Sequence, residues 1–133
     1  MSNIKPHWSH IFLDYIGYSP TCADDGNWML QLMRDAVANS SAKEVHSHVE
    51  QFDGSTSPPG FAAVVLLDES HVTAHCYSEK GWLAIDCFTC GTCDPNIIID
   101  QIHLALVREM PTLSQIIKSN HERFLYEDES GEV

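Results

Sequence analysis

Residues 61–88 read FAAVVLLDESHVTAHCYSEKGWLAIDCF, and this stretch decides the fold. Three runs within it, at 61–67, 71–77 and 82–88, have the apolar, branched and aromatic composition of β-strands. Only residues 68–70 separate the first two runs, and the hairpin-type turn 78–81 separates the last two. Because turns this short connect antiparallel neighbours, the stretch predicts an antiparallel sheet.

Further elements are expected on both sides of this stretch. A strand with a turn is expected at 8–18, a strand at 45–52 and a final strand at 113–125. Two helices are expected, because aspartate caps free amides and proline fits the first helical turn. One helix starts at Asp24-Asp25 and runs to Asn39, and the other starts at Asp94-Pro95 and ends at Pro111. This order favours an antiparallel α+β sandwich over a parallel doubly wound fold.

Length and composition limit the class of protein. The 133 residues suit one domain, and 44% hydrophobic with 20% charged residues is typical of a globular chain. A net charge of -12 disfavours nucleic acid and anionic membranes as partners, since phosphates would be repelled. Residues 1–10 show no secretory signal, and the longest apolar run, 61–67, is too short to span a membrane. Five cysteines, an odd number, favour a reducing cytoplasm over a disulfide framework.

Ser70 is the candidate reactive residue, because it enters a strand straight after the turn Asp68-Glu69, where a strained backbone can be held. A serine hydroxyl there can attack the Glu69 carbonyl and move the acyl group from nitrogen to oxygen. Loss of the serine α-proton then expels the ester and leaves dehydroalanine, which hydrolyses to a pyruvoyl group. This chemistry needs a base, and His75 is the candidate, since an unperturbed histidine has a pKa of about 6.5.

A pyruvoyl group would make the chain an enzyme without an external cofactor. Its carbonyl can form a Schiff base with an amino acid and accept the electrons released when carbon dioxide leaves. The product carbanion must then be protonated. Cys90 is the candidate donor, because a thiol with an unperturbed pKa of about 8.5 is mostly protonated at neutral pH.

Two segments carry a resemblance to a known family. ESHVTAH at 69–75 and WLAIDCFTCG at 82–91 resemble the short prokaryotic S-adenosylmethionine decarboxylases, most strongly over residues 58–95. The resemblance implies a proenzyme cleaved between Glu69 and Ser70 into residues 1–69 and 70–133. It also implies a pyruvoyl group from Ser70, a processing role for His75 and proton donation by Cys90.

The resemblance extends to architecture, substrate and partners. It implies a two-layer α/β sandwich, with two main helices on one face of an antiparallel sheet, that forms a homodimer. The substrate would be S-adenosylmethionine, and its decarboxylated product would supply aminopropyl groups for spermidine synthesis. Glu79 and Phe52 are the candidate substrate contacts, as a carboxylate and an aromatic ring.

One position departs from the family pattern. The family commonly carries a serine eight residues before the processed serine, where it assists processing, but this chain has Ala62. Slower processing is one expected consequence. The other expected consequence is that Ser55, Thr56 or Ser57 supplies the missing hydroxyl.

Three alternatives stay open on the sequence alone. The same mechanism could act on ornithine, arginine or another amino acid. The run Cys87-x-x-Cys90-x-x-Cys93 could bind a metal or an iron–sulfur cluster, although a fourth cysteine is missing from the run, and His46 with His48 could join a metal site. Finally, the absence of a hydroxyl at Ala62 is compatible with an unprocessed, inactive homologue that has a binding role.

Overall fold

The computed structural model describes residues 8–20 and 22–124. In chain order its elements are β1 (Trp8–Ile16), α1 (Asp25–Ala38), β2 (Glu44–Phe52), β3 (Gly60–Leu67), β4 (Ser70–Tyr77), β5 (Trp82–Thr89), α2 (Pro95–Glu109) and β6 (Ser114–Arg123). The expected order of strands and helices is confirmed. The end of the expected last strand, Leu125, and the acidic tail lie outside the described residues.

All six strands form one sheet in the order β2-β3-β4-β5-β1-β6. Every neighbouring pair is antiparallel. The expected hairpins β3-β4 and β4-β5 are present, while β1 returns from the start of the chain to lie between β5 and β6. Strands β4 and β5, which carry the candidate residues, are therefore the central strands.

The core lies between one face of this sheet and the two helices. Helix α1 packs on β2 and β3, α2 packs on β1 and β5, and the helices also contact each other. Alternation along the strands sends every second side chain into this layer. Its buried strand residues include Ile11, Leu13, Tyr15, Phe61, Ala63, Val65, Leu67, Val72, Ala74, Cys76, Leu83, Ile85 and Cys87. The predicted two-layer α/β sandwich, with both helices on one face, is confirmed.

The two helix starts differ from each other. Asp94 caps α2 as expected, since its carboxylate accepts a 3.0 Å hydrogen bond from the main-chain N–H of Asn96. The expected side-chain cap at Asp24 is wrong, because this carboxylate accepts from the Asn27 side chain at 2.8 Å and makes no cap bond to the backbone. Asp25 is buried instead and accepts the Tyr18 hydroxyl at 2.8 Å.

Within the described residues, the second face of the sheet carries no helix. We call it the open face, and its side chains form rows across the central strands. The rows are His71, Phe88, His10 and His121; then Thr73, Asp86, Phe12 and Ser119; then His75, Ala84, Asp14 and Ile117; then Tyr77 and Trp82. Neither described helix is long and apolar enough to cross a bilayer.

Candidate active site

The turn before Ser70 holds a strained residue. Asp68 and Glu69 connect β3 to β4, and Leu67 pairs with Ser70 across the hairpin. Glu69 has a φ of 67°, in the left-handed region, which costs a residue with a side chain about 1–2 kcal/mol. The strain expected at this turn is thus present, and it lies on the residue whose carbonyl Ser70 would attack.

Ser70 and Cys90 meet at this end of the sheet. The antiparallel pairing of β4 with β5 places His71 opposite Phe88, so the residues just beyond this pair come together. The main-chain N–H of Cys90 donates a 3.1 Å hydrogen bond to Ser70 Oγ. Both residues are half-buried. The structure therefore brings the predicted nucleophile and the predicted proton donor into one corner.

The loop that carries Cys90 is held by its own hydrogen bonds. The buried Thr89 hydroxyl donates to the Cys93 carbonyl at 2.8 Å. The Cys93 N–H donates to the Cys90 carbonyl at 3.1 Å. The Cys90 sulfur lies 3.3 Å from Thr92 Oγ1. This loop fixes where the Cys90 thiol sits relative to Ser70.

His75 does not reach Ser70 within one chain. The two residues lie on the same strand, β4, five positions apart. A strand rises about 3.3 Å per residue, so about 16 Å separates their backbones. His75 is exposed on the open face, where its cross-strand neighbours are Ala62 and Ala84. The predicted base for Ser70 therefore lies at a distant position along the same strand.

A second group of residues surrounds His75. Phe52, Ser57 and Tyr77 join His75 in lining a cavity of about 210 Å³. Glu79 is exposed in the turn that follows β4, at the same end of the strand. The candidate residues therefore form two groups, Ser70 with Cys90 at one end of β4 and Phe52, His75 and Glu79 toward the other.

Sequence reasoning missed a polar pair on the open face. His10 Nε2 lies 2.9 Å from Asp86 Oδ1, between β1 and β5. The ring of His71 lies 5.6 Å from the Phe88 ring in the same region. Partial burial lowers the pKa of His71, and nearby His10 lowers it further. An aspartate within the otherwise apolar run 82–88 was the signal that could have found this pair.

The cysteines and histidines do not form a metal site in the part of the chain that is described. No group of three His, Cys, Asp or Glu side chains there could hold an ion. Burial raises the pKa of Cys87 to about 12, which opposes the thiolate that a metal needs. His48 instead lies 2.6 Å from Glu50 on the exposed edge strand β2. The metal-binding alternative is therefore not favoured.

Known proteins match most of this chain. A sequence model described as S-adenosylmethionine decarboxylase matches residues 9–118. An S-adenosylmethionine decarboxylase proenzyme of Brevibacillus brevis is 32% identical over 121 residues, which are 90% of this chain and 88% of that protein. One of Symbiobacterium thermophilum is 37% identical over 98 residues, 73% of this chain and 71% of that protein.

A solved structure shows the same fold. The crystal structure of the adenosylmethionine decarboxylase from Aquifex aeolicus aligns with a TM-score of 0.71 and 29% identity. The alignment covers 97% of this chain and 100% of that one. On the match to residues 9–118 and the similarity of these relatives along their length, the chain belongs to the S-adenosylmethionine decarboxylase family.

Proposed function

We propose that this chain is a proenzyme that cleaves itself between Glu69 and Ser70 and then decarboxylates S-adenosylmethionine. The observation that carries the proposal is the 3.1 Å hydrogen bond from the Cys90 N–H to Ser70 Oγ, directly after a residue with a φ of 67°. This bond orients the serine oxygen, and the strained turn presents the Glu69 carbonyl. The named relatives are proenzymes of this activity.

Self-cleavage follows from the chemistry of Ser70. Its oxygen attacks the Glu69 carbonyl carbon, the bond to the Ser70 nitrogen breaks, and an ester joins the two residues. A base then removes the Ser70 α-proton, and the ester leaves as the new carboxylate of Glu69. Tautomerisation and hydrolysis of the remaining dehydroalanine release ammonia and leave a pyruvoyl group at residue 70.

The residues around Ser70 fit this group. It would form at the start of β4, beside the loop that holds Cys90, and it supplies a carbonyl that accepts electrons as carbon dioxide leaves. The half-buried Cys90 thiol then donates the proton that the product carbon needs. The product is decarboxylated S-adenosylmethionine, an aminopropyl donor for spermidine synthesis.

We infer a homodimer because the two groups of site residues lie toward opposite ends of β4 within one chain, too far apart to act together. A two-fold axis near Thr73 would place the β4 position of Ser70 in one copy opposite that of His75 in the other, and the reverse. The open face is suited to this contact, since Leu66, Tyr77 and Trp82 are 43%, 42% and 48% exposed on it. Sheets packed in this way lie about 10 Å apart.

The second group would bind the substrate. S-adenosylmethionine carries a sulfonium cation, and an aromatic face such as that of Phe52 attracts such a cation. Glu79 would supply a carboxylate at the same end of the strand. The net charge of -12 further favours a cationic ligand over nucleic acid. A reducing cytoplasm is the location that suits five free cysteines.

The test measures cleavage and turnover on one preparation. Denaturing mass spectrometry should show residues 1–69 and a fragment 70–133 with a blocked amino terminus, and Ser70→Ala should stay full-length. Carboxyl-labelled S-adenosylmethionine should release carbon dioxide, whereas labelled ornithine and arginine should not. A full-length protein that still turns over, or release from another amino acid alone, would overturn the proposal.

A further inference from the structure

Two members of the cysteine run at 87–93, Cys90 and Cys93, occupy the ends of one turn. The Cys93 N–H donates to the Cys90 carbonyl at 3.1 Å, with Gly91 and Thr92 between them. A turn closed by this bond keeps the two Cα atoms within about 7 Å. Disulfides need Cα atoms about 4.4–6.8 Å apart, so the Cα spacing of this turn permits a bond between these two sulfurs.

We propose that Cys90 and Cys93 are a reactive dithiol that takes up oxidising equivalents from low-molecular-weight disulfides and closes into a Cys90–Cys93 disulfide. The effect on turnover rests on the role proposed above for Cys90. The disulfide holds the Cys90 sulfur, so the thiol no longer supplies a proton to the product. The pair is a modification site within the catalytic loop.

Cys90 is the thiol that meets the oxidant. It is half-buried at the surface of the loop, whereas Cys93 is only 6% exposed. Its thiolate attacks the small disulfide R–S–S–R, which forms Cys90–S–S–R and releases R–S⁻. The Cys93 thiolate then attacks the Cys90 sulfur and releases a second R–S⁻. Two protons leave the protein, two thiols are oxidised, and one disulfide is reduced to two small thiols.

Cys93, and not Cys87, is the partner that the structure favours. Cys87 is fully buried within β5, where Ile11 and Val72 pair with it on either side. Burial raises the pKa of its thiol to about 12, which leaves little thiolate to attack. Cys93 lies outside the sheet ladder, in the same hydrogen-bonded turn as Cys90.

In protein that is already processed, oxidation can change only turnover, and turnover is measured directly. The experiment uses processed protein with Cys22→Ser, which removes the exposed thiol. Treatment with 2-hydroxyethyl disulfide should leave the 70–133 chain lighter by two hydrogen atoms, with no adduct. Peptide mapping should join Cys90 to Cys93, and activity should fall by about a hundredfold or more, as for loss of a general acid. A dithiol reductant should restore it.

The matched variant adds Cys93→Ser, which removes only the second thiol. This protein should stop at the mixed disulfide on Cys90 and gain the mass of one adduct. A stable adduct on the parent protein, a Cys87–Cys90 bond, or full activity in the oxidised parent would overturn the proposal. If the disulfide forms in a protein that never releases carbon dioxide from S-adenosylmethionine, the proposed function fails and the dithiol stands.

Discussion

The main-chain N–H of Cys90 donates to Ser70 Oγ at 3.1 Å, although the two residues are 20 positions apart. The contact uses the backbone of Cys90 and leaves its thiol free to approach Thr92. Under the proposed function this residue has two separable contributions: its N–H positions the serine to be processed, and its sulfur serves the later reaction. Substitution of the side chain tests one contribution without the other.

Cys90→Ala should keep self-cleavage and lose decarboxylation. Alanine retains the main-chain N–H, so the bond to Ser70 persists, but no thiol remains to protonate the product. General acid catalysis contributes about 10²–10⁴-fold, and kcat should fall by that amount. Denaturing mass spectrometry measures cleavage, and release of labelled carbon dioxide measures turnover.

The control for Cys90→Ala is Cys22→Ser, which changes an exposed cysteine outside the site. This variant should match the parent in both assays. Unchanged turnover in Cys90→Ala would remove the thiol from the mechanism. Loss of cleavage equal to that of Ser70→Ala would show that the side chain, and not the N–H, serves processing.

Two inactive variants should complement each other. If His75 of one copy serves Ser70 of the other, a mixed dimer of Ser70→Ala and His75→Ala contains one complete site. Random pairing puts about half of the His75→Ala chains into mixed dimers, and these chains should be cleaved after co-expression. Distinct affinity tags allow mass spectrometry to read each chain separately.

The two variants expressed alone give the baseline for this complementation. Neither should be cleaved, since each lacks either the serine or the base. If His75 acts within its own chain, co-expression changes nothing. Direct proton transfer from Ser70 to His75 of the same chain is not expected, because roughly 16 Å separates these two positions on one strand.

Local pattern was enough to predict most of the fold. The turns within 61–88 are short, so β4 pairs with β3 on one side and β5 on the other, its two neighbours in the chain. The insertion of β1 between β5 and β6 depends on contacts between distant segments, which periodicity does not encode. The cap expected at Asp24 is absent because its carboxylate accepts from the Asn27 side chain, a contact that residue type alone does not predict.

The candidate site was predictable only in part. Alternation and strand rise along β4 were enough to place His75 far from Ser70, whereas its choice as the candidate base rested on residue type alone. The hydrogen bond between Cys90 and Ser70 required the register of β4 with β5. The pair His10 and Asp86 required the register of β1 with β5 as well.

Ala62→Ser should accelerate self-cleavage. Ala62 pairs directly with His75 across β3 and β4, and side chains at such positions lie about 4.5–5.5 Å apart. A hydroxyl there can hydrogen-bond the imidazole and orient it for proton transfer, so we expect a severalfold faster appearance of the two fragments. Time-resolved denaturing gels of freshly synthesised protein measure the rate.

Ala84→Ser is the matched comparison, since Ala84 pairs with His75 from the other side. The processing serine of the family pattern described above corresponds to Ala62 and not to Ala84, so Ala84→Ser should leave the rate at the parental value. Equal acceleration by both variants would mean that any hydroxyl beside His75 is sufficient. No acceleration by Ala62→Ser would mean that another group already fills this role.

Cys87 should stabilise the fold less as the pH becomes alkaline. Burial raises its pKa from the usual 9.0 to about 12. A group with a raised folded pKa stabilises fully below its unfolded pKa, and this contribution disappears between about 9 and about 12. Cys87→Ala should cost about 1 kcal/mol at neutral pH, and the difference from the parent should shrink above pH 9.

Denaturant unfolding of both proteins across this pH range measures the difference. Tyr15 and Tyr18, whose pKa values burial also raises, are present in both proteins and cancel in the comparison. A difference in the free energy of unfolding that stays constant with pH would show that the Cys87 thiol ionises equally in the folded and unfolded chains.

Thr73→Arg should separate the two copies and abolish cleavage. Thr73 is half-buried on the open face, midway between the positions of Ser70 and His75 on β4, and therefore close to the proposed two-fold axis. Two arginines brought together between sheets about 10 Å apart would be desolvated next to a like charge. Sedimentation should show a monomer with circular dichroism like the parent, and mass spectrometry should show only full-length chain. Gln31→Arg adds the same charge on the exposed side of α1 and should remain dimeric and cleaved. A monomer that cleaves itself at the parental rate would place the whole processing site within one chain, and a Thr73→Arg dimer would move the interface away from the open face.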